Sequence, residues 1–543
     1  MDIQFFGAAK MVTGSNYLIT TDKYKLIIDC GMFQGSEEIE RLNYEPFPYN
    51  PADIDYLILS HAHIDHSGRI PKLVKDGFKG RIISTKATFD LCKIMLMDSA
   101  KIQEADVEWE NRKRQRAGKK AIEPLYTMEE AEISLKFFET YLYGQKIIVN
   151  EDIELMFRDA GHMLGSSIIE LWIKEKGDSY KIVFSGDLGM PNRPILNDPE
   201  YIDDSDYLII ESTYGDRIHE EFAKSTERLI EIINKTVIRG GSVIIPAFAV
   251  GRTQELIYEL NKYYEYNNQI EEYMKIPIYV DSPMALMATE AFQTNSSSFD
   301  DEAKSLILKG DNPFKFPNLR YIKDQNESMA LNKYKFPKVI ISSSGMATAG
   351  RIRHHLKHNL WDEKNSLVFV GYQAEGTLGR IILNGAKRVK ILGEEVAVKA
   401  EIYNLEGFSG HADQIMLLDW IRKFKNKPKK IFIVHGEEEA ANTLANLIEE
   451  EFNIDTIVPN IGDKFEIEKQ TIELKERAER DTLDLEESIR KELEYIYNQF
   501  QSLDERKDRL LDHELLDKKY DSIKNILILL QQNLMDLNML LGR

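Results

Sequence analysis

The chain has 543 residues, 43% of them hydrophobic and 29% charged, with a formal net charge of -20. That length exceeds a single core and predicts two or three domains, while the acidic balance excludes nucleic-acid binding through overall basicity and leaves room only for a local basic cleft. No apolar run approaches the roughly 18 residues of a membrane span, the start lacks the basic and apolar regions of a signal peptide, and two distant cysteines, Cys30 and Cys92, exclude a disulfide framework or a thiolate metal cluster, so the chain reads as cytoplasmic.

Short apolar runs separated by turns predict strands over 3–6, 17–20, 26–29, 56–60 and 81–85. Residues 86–142 change character. KATFDLCKIMLMDSAKIQ and TMEEAEISLKFFETYL carry helical apolar spacing, and NRKRQRAGKK between them reads as a basic, exposed loop. Strands return at 146–149, 153–157, 167–173 and 181–185. From about 207 to 386 strands alternate with helices: SVIIPAF then TQELIYELNKYY, KIPIYV then PMALMATEAF, KVIISS then RIRHHLKHNL, SLVFVGY then GRIILNG. Such alternation implies a parallel sheet with helices on its faces. Residues 387–470 carry short strands such as IFIVHG, with one helix on each side. Residues 471–543 form a polar, helix-rich tail whose last apolar residues recur at spacings of three and four. That amphipathic face either docks on the chain's own body or pairs two copies as a homodimer.

The sharpest local signal is YLILSHAHIDHSG, where an apolar strand runs into His61, His63, Asp65 and His66. Imidazole and carboxylate suit zinc. In an extended stretch residues i and i+2 point the same way, so His61 and His63 can grip one ion. The chain must then turn, which lets Asp65 and His66 face a neighbouring ion. Solvated loop histidines are the bland alternative, but three of the eleven histidines fall within these six residues. His162 in DAGHMLGSS, Asp187 in VFSGDLG and His435 in IFIVHGEE share one context, a polar residue at the end of an apolar strand with glycine nearby. Strand ends on one sheet edge converge, so these residues can complete the site. The set exceeds the three protein ligands and water of a single catalytic ion. Two Zn2+ ions about 3.5–4 Å apart, bridged by a carboxylate such as Asp187, would activate a water and offset charge in an in-line displacement.

With these residues in place, SHAHIDHSG resembles the HxHxDH signature of metallo-β-lactamase-fold hydrolases. Glu211 in LIIESTYGD, His411 in GFSGHAD and His435 in IVHGE resemble the three further motifs of the β-CASP ribonuclease branch, which processes nucleic acids. The resemblance runs from residue 1 to about 470. It implies an αββα sandwich over 1–207 and 387–470, a parallel-sheet β-CASP domain inserted at 208–386, and a helical extension at 471–543. It implies a first zinc on His61, His63, His162 and Asp187, and a second on Asp65, His66, His435 and Asp187. Asp29, at the end of YKLIIDCG, would orient the metal loop. His411 would protonate the leaving oxygen, with Glu211 keeping it oriented and protonated.

Single-stranded RNA is the substrate this resemblance implies, hydrolysed by a metal-activated hydroxide. The implied cleavage is endonucleolytic, with 5′-3′ exonuclease activity open, and histidine rather than another residue at 435 favours RNA over DNA. Three strand–glycine loop–helix units, PAFAVGRTQEL, SSSGMATAGRIRHH and GYQAEGTLGRII, place Arg252, Ser344, Gly345, Arg351 and Arg380 near helix N-termini, where backbone N–H groups and guanidinium can follow a phosphate backbone. Parallel sheets need glycine turns in any case. His354 and His355 read as packing or phosphate-contact residues, and the basic run 112–120 as a solvated loop or an outlying RNA contact. A thioesterase or lactonase of the same fold would need neither the inserted domain nor His411, and a non-catalytic RNA-binding scaffold would not keep a full ligand set.

Overall fold

A computed structural model describes residues 1–266, 275–373 and 376–467, with scattered positions between 490 and 531. Met1–Lys304 with Asn312–Gln470 forms one compact unit, and Ser305–Asp311 groups with Thr471–Arg543 in a second. In the second unit Leu493, Tyr497 and Leu527 are helical and exposed. The amphipathic stretch expected in the tail lies, apart from Lys524, Leu527, Leu530 and Gln531, outside the described residues.

Alternating apolar residues build two facing sheets in the first unit. In Ile153–Asp159, for example, every second residue is buried, so Ile153, Leu155 and Phe157 point inward. One seven-stranded sheet runs Lys464–Glu466, Asp2–Phe5, Tyr17–Thr20, Lys25–Ile28, Tyr56–Ile58, Arg81–Thr85, Phe138–Tyr141. The other runs Asp455–Ile457, Lys430–Val434, Tyr207–Glu211, Asp178–Phe184, Ser167–Glu175, Ile153–Asp159, Ile147–Ile148. Phe5, Tyr17, Phe157, Phe184 and Phe432 fill the layer between them. The outer face of the second sheet packs Ile168, Val183 and Ile433 against Leu417 and Trp420 of helix Gln414–Arg422 and Leu444 and Ile448 of helix Glu438–Phe452. Beside the first sheet, helix Lys86–Arg116 packs on helix Met128–Ser134 through Ala100, Tyr126 and Ala131. The result is the expected αββα sandwich.

A third sheet is parallel throughout, in the order Leu319–Tyr321, Ile278–Val280, Val339–Ser342, Val243–Pro246, Ser366–Phe369, Glu401–Asn404. Strands such as VIIS at Val339–Ser342 are buried along their whole length, as a sheet covered on both faces requires. Its C-terminal strand ends, and the loops that follow them, therefore share one edge.

Four sequence expectations change. NRKRQRAGKK is not a loop, because helix Lys86–Arg116 runs through most of it; its charged residues propagate a helix as well as any solvated turn. The second helix stops at Ser134, and FETY becomes strand Phe138–Tyr141, paired with Arg81–Thr85. The insertion does not start at 208, since Tyr207–Glu211 pairs with strands of the hydrolase sheet on both sides. Nor does the chain return at 387, since Glu401–Asn404 adds to the parallel sheet beside Ser366–Phe369 and the hairpin Arg388–Ile391/Glu394–Ala397 packs in that sheet's core.

Candidate metal centre

Strand ends deliver the centre's side chains. After Tyr56–Ile58 the chain passes Ser60 and His61 and enters the short helix Ile64–Ser67, which carries Asp65 and His66. Asp187 follows Asp178–Phe184 across Gly186, whose φ is +56° and whose missing Cβ would sit 2.7 Å from the Ser167 carbonyl; only glycine fits that turn. Glu211 ends Tyr207–Glu211 and sits opposite Val434 on the next strand, with His435 just beyond. His435 and Asp29 both adopt left-handed backbone, at φ +48° and +59°. Such angles are costly for non-glycine residues and gather at functional sites.

The donors form two groups sharing one carboxylate. His63 Nδ1 lies 3.2 Å from His61 Nε2 and 3.0 Å from His162 Nε2. Asp187 Oδ2 lies 3.4 Å from His61 Nε2 and 3.7 Å from His162 Nε2. In the second group His66 Nε2 is 3.2 Å from His435 Nε2 and 3.3 Å from the same Asp187 oxygen. Asp65 Oδ2 is 3.4 Å from His435 Nε2 and 3.9 Å from His66 Nε2. A tetrahedron with metal–ligand distances of about 2.0–2.1 Å has edges of roughly 3.3 Å, so both groups have the dimensions of a zinc cage. Imidazole nitrogens this close, lone pair toward lone pair, repel unless a cation lies between them. The carboxyl oxygen Asp187 Oδ1 is buried without a hydrogen-bond partner.

In four of the five rings, those of His61, His66, His162 and His435, the remaining nitrogen is held from behind, the arrangement that fixes a ligating tautomer. Asp29 is fully buried; its Oδ2 lies 2.7 Å from His66 Nδ1 and accepts from Ser60 Oγ at 2.8 Å. Ser60 Oγ in turn is 3.0 Å from His61 Nδ1. His162 Nδ1 faces the Gly410 carbonyl at 2.9 Å, and His435 Nδ1 faces Thr213 Oγ1 at 3.1 Å. Burial drives His61 and His162 well below the usual imidazole range and His63 down to about 4, so all three are neutral, the ligating form. Burial opposes the charge on Asp65 and Asp187, but the histidines around them prevail, holding Asp65 at about 2 and Asp187 well below its usual range. Against burial, Asp187 and Asp29 raise His66.

His411 stands at the rim. Its Nδ1 lies 3.1 and 3.3 Å from the two oxygens of Glu211, and its ring centroid is 4.5 Å from that of His162. Glu211 is fixed by the Leu188 N–H and the Thr213 hydroxyl, each at 2.6 Å. Burial would depress His411, but the Glu211 and Asp187 carboxylates lift it to about 9. The imidazole is therefore charged at neutral pH and can give up a proton.

The arginines of the glycine loops behave differently from one another. Arg252 is buried, paired with Glu255, and its guanidinium lies 5.7 Å from the Phe408 ring. Glu255 also binds buried Arg193, which donates to the Ser409 carbonyl at 2.7 Å. Arg351 donates to Asp281 at 2.6 Å and to the carbonyls of Ile322 and Lys323. Arg252 and Arg351 thus each bind a protein carboxylate, Glu255 and Asp281. Ser344 and Gly345 lie in the loop after Val339–Ser342, on the shared edge, and Arg380 sits half-buried in helix Leu378–Leu383. His355 packs between Asp281 and Asn332, 2.6 and 2.9 Å from their oxygens. Sequence reasoning missed Ser60, Thr213 and Arg193. Their only signal was position, one residue before His61, two after Glu211 and six after Asp187.

This chain matches the metallo-β-lactamase superfamily over residues 10–240, the Beta-Casp domain over 253–382 and the Zn-dependent metallo-hydrolase RNA specificity domain over 395–459. It is 38% identical over 448 residues to a ribonuclease of Thermus thermophilus, covering 82% of this chain and 96% of the relative. It is 33% identical over 466 residues to transcription termination factor FttA of Methanocaldococcus jannaschii, covering 84% and 70%. It is 32% identical over 463 residues to an RNase J-like protein of the same archaeon, covering 85% and 98%. A crystal structure of a protein of unknown function from Enterococcus faecalis shares the fold, with a TM-score of 0.50 at 13% identity over 86% of this chain and 99% of that one.

Proposed function

This chain belongs to the β-CASP branch of the metallo-β-lactamase superfamily and is a metal-dependent ribonuclease; we propose that it is a two-zinc endonuclease of single-stranded RNA with His411 as its general acid. The observation that carries the proposal is His411 bound to Glu211 at the rim of the donor cage. A thioester or lactone hydrolase of this fold needs neither the inserted parallel-sheet domain nor a charged imidazole beside the cage. His61, His63, His162 and Asp187 would hold one ion, and Asp65, His66, His435 and Asp187 the other. Lewis acidity toward a phosphate oxygen and a nucleophile available at neutral pH are what such ions supply when bound.

The chain's own residues do the rest. As the P–O bond breaks, His411 donates its proton to the departing ribose oxygen. Glu211 keeps that proton on the ring until then and fixes the ring's direction. Asp29, Ser60, Thr213 and the Gly410 carbonyl hold the ligand imidazoles in one orientation. Among the described residues no helix is long and apolar enough to cross a membrane, and both cysteines are free and buried.

Circular single-stranded RNA incubated with the purified, zinc-loaded protein tests the proposal. Linear product is expected, because a circle can be opened only internally. Cleavage confined to linear RNA would refute the endonuclease, and loss of all cleavage in Asp65→Ala is the control that assigns it to this centre.

A further inference from the structure

Two aromatic rings stand open on the edge of the parallel sheet that carries His411. Phe248 is 41% exposed and Tyr372 is 40% exposed. Phe248 follows strand Val243–Pro246 and Tyr372 follows Ser366–Phe369, which is its neighbour in the sheet. The next strand, Glu401–Asn404, leads into the loop bearing His411. Parallel strands end on one edge, so the loops of Phe248, Tyr372 and His411 succeed one another along it. The ring of Tyr214 lies 6.0 Å from that of His411.

The Phe248 ring is held on one flank. A Cβ on Gly345 would lie 2.9 Å from the Phe248 ring and one on Gly371 would lie 3.6 Å from it, so two glycine loops clasp one flank. Buried Gln373 ties those loops together, its amide nitrogen 3.0 Å from the carbonyls of Gly345 and Gly371 and 3.1 Å from that of Tyr372. The Arg380 guanidinium lies 6.0 Å from the Tyr372 ring. One exposed apolar side chain needs no explanation. Two exposed aromatic rings on neighbouring loops of the edge that leads to His411, one of them beside arginine, match the chemistry by which proteins hold single strands: every base has a π-face, so stacking tolerates any sequence.

We propose that Phe248 and Tyr372 form a base-stacking subsite that seats nucleobases of the RNA strand next to the scissile phosphate. This inference rests on the ribonuclease reading above and adds the means by which an acidic protein grips RNA without a basic surface.

The test is an abasic scan. Oligoribonucleotides with one abasic site, moved position by position past the cleavage point, are cut by the zinc-loaded protein, by Phe248→Ala, by Tyr372→Ala and by Phe248→Trp. For the unsubstituted protein, KM rises about tenfold when the base at one or two positions is missing. Phe248→Ala and Tyr372→Ala each raise KM on intact RNA by about tenfold and erase the penalty at one position, whereas Phe248→Trp preserves it. A flat scan with the unsubstituted protein overturns the subsite, and is the outcome if the rings dock a protein partner instead. Penalties that persist in both alanine variants also overturn it. Failure to cut any RNA would instead refute the ribonuclease reading.

Discussion

Asp29→Asn changes one atom behind the cage and should cost the second ion most of its affinity. Asp29 Oδ1 accepts from the Ser60 N–H at 2.8 Å, and asparagine keeps that oxygen. The other oxygen, 2.7 Å from His66 Nδ1, becomes an NH2 donor. His66 Nδ1 must then accept, which moves the ring proton to Nε2, the atom 3.2 Å from His435 Nε2 and 3.3 Å from Asp187. A protonated Nε2 cannot ligate, and restoring the ligating tautomer would set two donors face to face at hydrogen-bond distance. Loss of such a supporting contact lowers metal affinity about 10- to 100-fold, or roughly 1.4–2.7 kcal/mol. Backbone strain is not the cause, because asparagine tolerates the left-handed region at φ +59° at least as well as aspartate. Zinc titration against a chromogenic chelator, with elemental analysis for stoichiometry, reads the effect: two sites in the unsubstituted protein, and in the variant one of them weakened at least tenfold. Two sites of unchanged affinity would refute the tautomer argument.

Three further changes test other joints. Since Glu211 helps lift His411 to about 9 and the acid is lost as pH rises through that value, Glu211→Gln should move the alkaline limb of kcat/KM to lower pH; an unmoved or upward-shifted limb counts against His411 as the acid. Glu255→Ala leaves the guanidinium groups of Arg193 and Arg252 buried without their shared carboxylate, and breaking such a pair costs about 3–5 kcal/mol. Urea unfolding should register it, and a loss below about 1 kcal/mol would mean that the triad is not a structural joint. Burial lifts the Asp159 carboxyl from 3.8 to about 7, against hydrogen bonds from Gly161 N–H and the Asn197 amide. The native state thus holds this proton more tightly than the unfolded chain, so the stabilisation is complete below the unfolded pKa and disappears as pH climbs to about 7. Asp159→Asn should remove that part of the slope from the urea midpoint, and an identical slope in the variant would exclude Asp159 as its source.

The parts of this protein that were legible in its sequence are those set by short-range patterning. The strand runs and the alternation after residue 207 follow from side-chain period, and HAHIDH announces its chemistry because its ligands are neighbours in the chain. The misread elements were decided by tertiary contact. FETY has helical spacing with the residues before it, yet the open edge beside Arg81–Thr85 draws it into the sheet. Glu401–Asn404 looks like the start of a new domain, yet the strand it pairs with is Ser366–Phe369. The arginines show the same limit. A glycine loop with arginine at a helix start has one appearance in sequence whether its guanidinium faces solvent or a buried carboxylate, and Glu255 and Asp281 decide the matter for Arg252 and Arg351. The left-handed backbone at Asp29 and His435 has no sequence signature at all, because neither residue is glycine.

His411 and the donor cage arise from different sheets, and contacts across that division hold the two together. His411 sits beyond the last strand of the parallel sheet, whereas its partner Glu211 ends a strand of the hydrolase sandwich. Three contacts that fix residues 409–411 cross that division. Arg193 binds the Ser409 carbonyl, His162 faces the Gly410 carbonyl, and Glu211 holds His411. His162 is at once a ligand candidate and a prop for the acid's loop, so a shift of that loop perturbs cage and acid together. The Arg193–Glu255 pair joins the loop after Asp187 to the first turn of helix Arg252–Tyr266.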